Sequence, residues 1–242
     1  MRSLVDKSPE LHHVGVDGAR SGWIAVTDAS SALQFQVFST PAALFENFRL
    51  ATIIAVDIPM GLSEAGPRAP DALARKFVGG KRASSIFSAP VRGILDARSQ
   101  PEASRRHRDI DGRGFGAQAF GILPKIRDWD SLLRSDSSAR ERVYEIHPEV
   151  SFAELNGGLG FTPGKKTPEG AQLRANLLAH EFGAKAVSDL LARVPRREAA
   201  PDDVLDALVA LWSARRIASG KSGSLPAVPS ADSCGLRTAI YY

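Results

Sequence analysis

The stretch V-G-V-D-G-A-R-S-G-W, Val14 to Trp23, decides the fold: an apolar strand ends on a carboxylate, Asp17, then turns through glycines into a second apolar strand. Apolar runs bounded by turn residues predict strands over His13 to Asp17, Trp23 to Thr27 and Leu33 to Phe38, with Gly18 to Gly22 as the first turn. Connections this short permit only antiparallel neighbours, so the three form a meander. Thr40-Pro41 opens a helix over Ala42 to Arg49, because proline suits a first helical turn, and Thr52 to Asp57 follows as a buried fourth strand. A helix between strands three and four allows a parallel crossover.

The next region, Gly61 to Arg134, is rich in Pro, Gly and Arg, with short helical pieces at Pro70 to Phe77, Pro101 to Arg108 and Gly116 to Leu133. It reads as an insertion at about residues 61–134 that builds one wall of a site within a single domain spanning 1–242. The main fold resumes with a fifth strand, Val143 to Ile146, and helices at Val150 to Leu155, Pro168 to Glu181, Ala184 to Val194 and Asp202 to Ala218. Ser219 to Ser233 has the composition of a flexible linker, and Leu236 to Tyr242 that of a late strand. This order is the layout of an α/β, ribonuclease-H-like fold: a mixed sheet, antiparallel over its first three strands and parallel thereafter, flanked by helices.

Composition narrows the class. With 242 residues, 43% hydrophobic and 24% charged, the chain is long enough for one sizeable soluble α/β domain. The single cysteine, Cys234, excludes an intramolecular disulfide and a Cys-based zinc site, and fits a reducing cytoplasm. The N-terminus carries charges and a proline where a signal peptide needs an apolar core, and the longest aliphatic runs are strand-sized, so no membrane partner is expected. The formal charge is only +4, but between Arg68 and Arg127 stand 13 Lys/Arg against 5 Asp/Glu, an excess suited either to phosphates or to an ordinary solvated surface.

Acids fall where regular structure begins or ends: Asp17, Asp57 in A-V-D-I-P, Glu145 and Glu149 in Y-E-I-H-P-E, and Asp203 with Asp206 in P-D-D-V-L-D-A-L. A desolvated carboxylate must be paired, hydrogen-bonded or metal-bound, and several converging would repel one another unless a divalent cation sat between them. Asp203 and Asp206 lie within about 60° of each other on a helix otherwise apolar nearly all round, in line with small residues that permit close packing. Each acid also has an ordinary structural reading: Asp203 as a first-turn helix acid, Asp57 and Asp17 as turn braces, Glu149 as the start of a helix after Pro148. An all-carboxylate site suits Mg²⁺ or Mn²⁺. Two such ions about 3.5 to 4 Å apart support in-line phosphodiester hydrolysis.

Motifs run through most of the chain: G-V-D-G with Gly22-Trp23, D-I-P-M-G-L from Asp57, R-A-S-S-I-F-S-A-P-V-R from Arg82 to Arg92, Q-A-F-G-I-L-P-K-I from Gln118, E-I-H-P-E-V-S-F from Glu145 and D-D-V-L-D-A from Asp202. On these the chain resembles the predicted-nuclease family called domain of unknown function 429. It is more distantly similar to RuvC-type junction resolvases of the ribonuclease-H-like fold. That resemblance implies a Mg²⁺- or Mn²⁺-dependent nuclease or phosphodiesterase, acting on a nucleic acid or nucleotide, with Asp17, Asp57, Asp203 and Asp206 as metal ligands. The resolvases place Glu where this chain has the shorter Asp57.

The other motif residues take roles around that centre. Glu145 and Glu149 offer an extra ligand, and His147 a general base. Arg82, Arg92 and Lys125 offer phosphate clamps, Gly18 a backbone amide beside the phosphate, and Ser84, Ser85 and Gln118 hydrogen bonds to substrate or water. Two other readings stay open: an ATP-binding phosphotransferase of the actin-like or sugar-kinase type, and a non-catalytic nucleic-acid-binding module. The oligomeric state stays open too, a dimer included.

Overall fold

The computed structural model describes residues 12–29 and 32–242; the N-terminal segment read above against a signal peptide lies mostly outside them. Its frame is one seven-stranded mixed sheet. Strands β1 (His13–Ala19), β2 (Gly22–Thr27) and β3 (Gln34–Phe38) form the antiparallel meander, and α1 (Pro41–Asn47) carries the chain to β4 (Ile53–Asp57), parallel to β1. Strand β1 continues to Ala19, paired with Gly22, so the turn is tighter than the sequence suggests. Gly22 accommodates this with φ +134, and a Cβ there would meet the Phe38 carbonyl oxygen at 2.1 Å.

Between β4 and β5 (Val143–Ile146) lie α2 (Ala69–Val78), α3 (Gln100–Asp111), α4 (Ala117–Ser135) and α5 (Ser137–Arg142). Because β4 and β5 are parallel, this segment is their obligatory crossover. Its helix α4 covers one face of the sheet, and its Arg82, Ser85 and Phe87 reach the cleft described below. Leu123, Ile126, Trp129 and Leu133 of α4 pack with Val14, Val16, Ile54 and Val56 on one face of the sheet. Trp129 meets Trp23 edge to face at 5.6 Å.

The opposite face is covered by α6 (Pro148–Leu155), α7 (Pro168–Phe182), α8 (Ala184–Arg193) and α9 (Pro201–Ala218). Helix α9 is buried continuously from Val204 to Ala214, as its all-round apolar sequence requires. It lies close on β1: a Cβ on Gly15 would fall 2.0 Å from the Leu211 amide nitrogen.

One expectation is overturned near the C-terminus. The segment read as a linker, Ser219 to Ser233, contains β6 (Ser224–Ala231), which pairs antiparallel with β7 (Arg237–Tyr241) to complete the order β3-β2-β1-β4-β5-β7-β6. Its prolines are tolerated because β6 is an edge strand whose register shifts between Leu225 and Ser230, where ladder donors are not needed. Among the described residues, no helix is long and apolar enough to cross a membrane.

Candidate functional site

Side chains on a strand alternate between faces, so the parallel register decides which acids meet. Val16 lies opposite Val56, which puts Asp17 beside Asp57 on the face that α9 covers. Asp206 arrives on that face from α9. Asp17 and Asp206 are buried and Asp57 is partly buried, and they come from three separate elements.

Burial pushes Asp17 well above the usual carboxylate range, and the charges of Asp57 and Asp206 push it further. Asp57 is raised to about 6 by burial, against the pull of Lys165 and of a hydrogen bond with Asp17. The hydrogen bond with Asp17 favours the charged form of Asp57. Asp206 also rises to about 6 through burial, although the ammonium of Lys165 stands 2.5 Å from its Oδ2. Its other oxygen, Oδ1, is buried without a hydrogen-bond partner.

Lys165 is the site residue that the sequence reading missed. It sits between α6 and α7 in a Gly-, Pro- and Lys-rich loop that carries no periodic signal, 41 residues from its partner. Burial alone would lower its pKa; attraction first to Asp206 and then to Asp17 holds it above the ordinary lysine value.

A cleft opens beside these acids, with about 550 Å³ of empty space, part of it open to solvent. Asp57, Asp206 and Lys165 line it together with Arg82, Ser85, Phe87, His147, Pro148 and Glu149. Arg82 is held loosely, 3.7 Å from Glu149, whereas Glu149 is tied by both oxygens to buried Arg174 at 2.8 and 2.9 Å. Glu149 is therefore a structural counter-ion rather than a spare ligand. His147 caps α6: its Nδ1 accepts from the Glu149 amide at 3.2 Å, which leaves the proton on Nε2. Burial lowers its pKa to about 4. A neutral ring protonated on Nε2 presents a donor, not the general base expected.

Other expected site residues lie elsewhere. Glu145 pairs with Val56 in the ladder and so points to the opposite face from Asp57. There its carboxylate takes two bonds from Arg68, at 2.8 and 2.9 Å, and one from the Met60 amide at 2.7 Å. Asp203 accepts from the Ala200 amide at 2.9 Å, the ordinary bond of an N3 acid back to its helix start, and is half-buried. It adds only the weakest of the repulsions on Asp17. Arg92 spends its guanidinium on Asp130 at 2.8 Å and on Asp232. Lys125 donates to the Ala19 and Gly22 carbonyls at 3.1 and 3.0 Å and lies over the Trp23 ring, bracing the β1–β2 turn. Gly18 gives it room, since a Cβ there would stand 2.9 Å from its Nζ. Ser85 lines the cleft; Ser84 is outside its lining, and Gln118 is exposed near the start of α4.

The basic stretch also has an internal use. Arg68, Arg92, Arg106 and Arg113 are paired with acids, and Arg75 with the Ile86 carbonyl and Ser88. Part of the basic stretch thus serves as ties within the crossover layer.

Whether a divalent cation suits the centre turns on donors, charge and arrangement. The donors are hard carboxylate oxygens, three acids outnumber the ammoniums that face them, and Oδ1 of Asp206 lacks a partner. In kind and charge the residues fit Mg²⁺ or Mn²⁺. In arrangement, no group of three or more His, Cys, Asp and Glu side chains that could hold a metal ion is present among the described residues, and the cation on Asp206 is Lys165.

No curated protein and no solved structure matches the chain. The family model described as Protein of unknown function (DUF429) matches residues 15–231, most of the chain with all of the cleft's lining, and the protein belongs to that family.

Proposed function

We propose that this protein is a Mg²⁺- or Mn²⁺-dependent phosphodiesterase of the nuclease type, built on a ribonuclease-H-like sheet. The observation that carries this reading is the convergence of Asp17, Asp57 and Asp206, from two adjacent strands and one helix, beside a cleft whose wall Asp57 and Asp206 share with Arg82 and Lys165. The strand order β3-β2-β1-β4-β5, antiparallel through β1 and parallel beyond, supports the choice of fold.

Asp17, Asp57 and Asp206 would hold the ion. Bound there, it would lower the pKa of a water and offset charge on the phosphoryl oxygens. Arg82, only loosely engaged by Glu149, binds a non-bridging phosphate oxygen as a fixed cation. His147 donates from Nε2 into the cleft, and Ser85 offers a hydroxyl at its rim. The nucleic acid or nucleotide that carries the phosphate enters past Phe87, which is 38% exposed.

The test is Mn²⁺- or Mg²⁺-dependent cleavage of single-stranded, duplex and branched nucleic acids, with a nucleotide phosphodiester as the small substrate. Asp17→Asn and Asp206→Asn should abolish cleavage while leaving the circular-dichroism spectrum unchanged. Cleavage that persists in both variants, or that survives chelation, would sink the reading. ATP turnover without nucleic-acid cleavage would turn it towards a phosphotransferase.

A further inference from the structure

The ammonium on Asp206 stands where a cation is needed, and it belongs to the chain itself. Lys165 interacts with all three acids, most strongly with Asp206, then Asp17, then Asp57. It leaves the balance incomplete, because three carboxyl groups outnumber the ammoniums that face them, Lys165 and, towards Asp17, Lys125. It also occupies only Oδ2 of Asp206, with Oδ1 buried and unpartnered beside it.

We propose that Lys165 is the resident counter-cation of this centre: its ammonium holds the place on Asp206 that a divalent cation takes, so that ion loading and lysine withdrawal are one exchange. The proposal rests on the metal-dependent reading above. Three observations shape it.

The first is geometric. An ion that used both the partnerless Oδ1 and the neighbouring acids would approach the same carboxylate that Lys165 holds at 2.5 Å. Two cations that close repel strongly, by about 4 kcal/mol for unit charges 4 Å apart in a medium of effective dielectric 20.

The second is mobility of the right kind. The Lys165 side chain is 36% exposed at the cleft, whereas the loop that delivers it is anchored. Phe161 is buried beneath Arg174, and both the amide and the hydroxyl of Thr167 bond to the Gly164 carbonyl. Exchange is therefore a rotation of one flexible side chain over a fixed backbone.

The third is chemical type. Lysine is a compact point charge on a rotatable stem, so it releases a carboxylate more readily than a two-pronged guanidinium does. Arg174 on Glu149 and Arg68 on Glu145 show the permanent kind of pairing in the same molecule.

The experiment is calorimetric titration of MnCl₂ into the full chain, comparing wild type, Lys165→Met, Asp206→Asn and the double variant. Lys165→Met should bind Mn²⁺ roughly tenfold or more tightly, and Asp206→Asn should lose binding in both backgrounds. As a readout that needs no variant to fold, the Lys165 side-chain resonance should shift when Mg²⁺ is added to wild-type protein. Unchanged or weaker Mn²⁺ affinity in Lys165→Met, or a Lys165 resonance indifferent to saturating Mg²⁺, would overturn the exchange while leaving the metal-dependent function standing. No Mn²⁺ binding to the wild type would overturn both.

Discussion

The carbonyl oxygen of Ala207 stands 2.1 Å from the point where a Cβ on Gly15 would lie. Helix α9 can rest on β1 only because position 15 has no side chain, and that approach brings Asp206 to Asp17 and Asp57. Gly15→Ala would force backbone against backbone. We expect a loss of about 1–3 kcal/mol in urea unfolding, as for overpacked cores, and weakened Mn²⁺ binding. Gly18→Ala, which meets only the end of the Lys125 side chain and no backbone, should cost less. Equal losses for the two would refute this account of the contact.

Asp17 and Asp57 sit in the fold at a cost that depends on pH. Their folded pKa values are raised, Asp57 to about 6, so between the unfolded value of 3.8 and the folded one the native state binds more protons than the unfolded chain. Their favourable contribution is fully present below 3.8 and is lost as pH rises through about 6. Asp17→Asn keeps a permanent donor for Asp57 and removes the charge. In chelator, its melting temperature should exceed the wild type's by a few degrees at pH 8, roughly 2–4 °C for each kcal/mol gained, with a smaller gap at pH 4.5. A gap that shrinks as pH rises would contradict the sign.

Glu145 belongs to the scaffold. It neutralises buried Arg68, which also reaches Asp71 at 2.6 Å and the Met60 carbonyl at 2.6 Å, shaping the loop after β4. Arg68→Met strands two carboxylates in the interior and should cost about 3–5 kcal/mol by chemical denaturation. Glu145→Gln keeps the shape and leaves Arg68 balanced by Asp71, and should cost less. Mn²⁺ affinity of the folded fraction should be unchanged in Glu145→Gln; a loss matching that of Asp206→Asn would return Glu145 to the metal site.

His147 holds the start of α6 through Nδ1. His147→Ala should cost about 1 kcal/mol, as loss of an N-cap does, and His147→Asn should recover most of it. With its pKa lowered to about 4, the ring should show no protonation-linked chemical-shift change between pH 5.5 and 8. A midpoint near 6.5 would contradict the neutral assignment.

Much of the frame was legible in one dimension because its signals are local. Apolar runs bounded by turn residues marked β1 to β4, Thr40-Pro41 marked α1, and the all-round apolar pattern of α9 announced a buried helix with Asp206 inside it. The edge strand β6 was not legible, since its serines and prolines carry a linker's composition and only pairing with β7 makes it a strand.

The site divides along the same line. The sequence by itself determined that acids lie late in β1 and at the end of β4 and that another lies within an apolar helix, because residue type and period are properties of short windows. Which acids meet was decided by parallel register, where Glu145 falls opposite Val56 and turns away while Asp57 turns towards α9. Which cations serve them was decided by packing across long separations: Arg68 to Glu145, Arg174 to Glu149 and Lys165 to Asp206. A charge on a loop bears no periodic mark of its partner; only the folded chain, by burying both and excluding water, makes the pair.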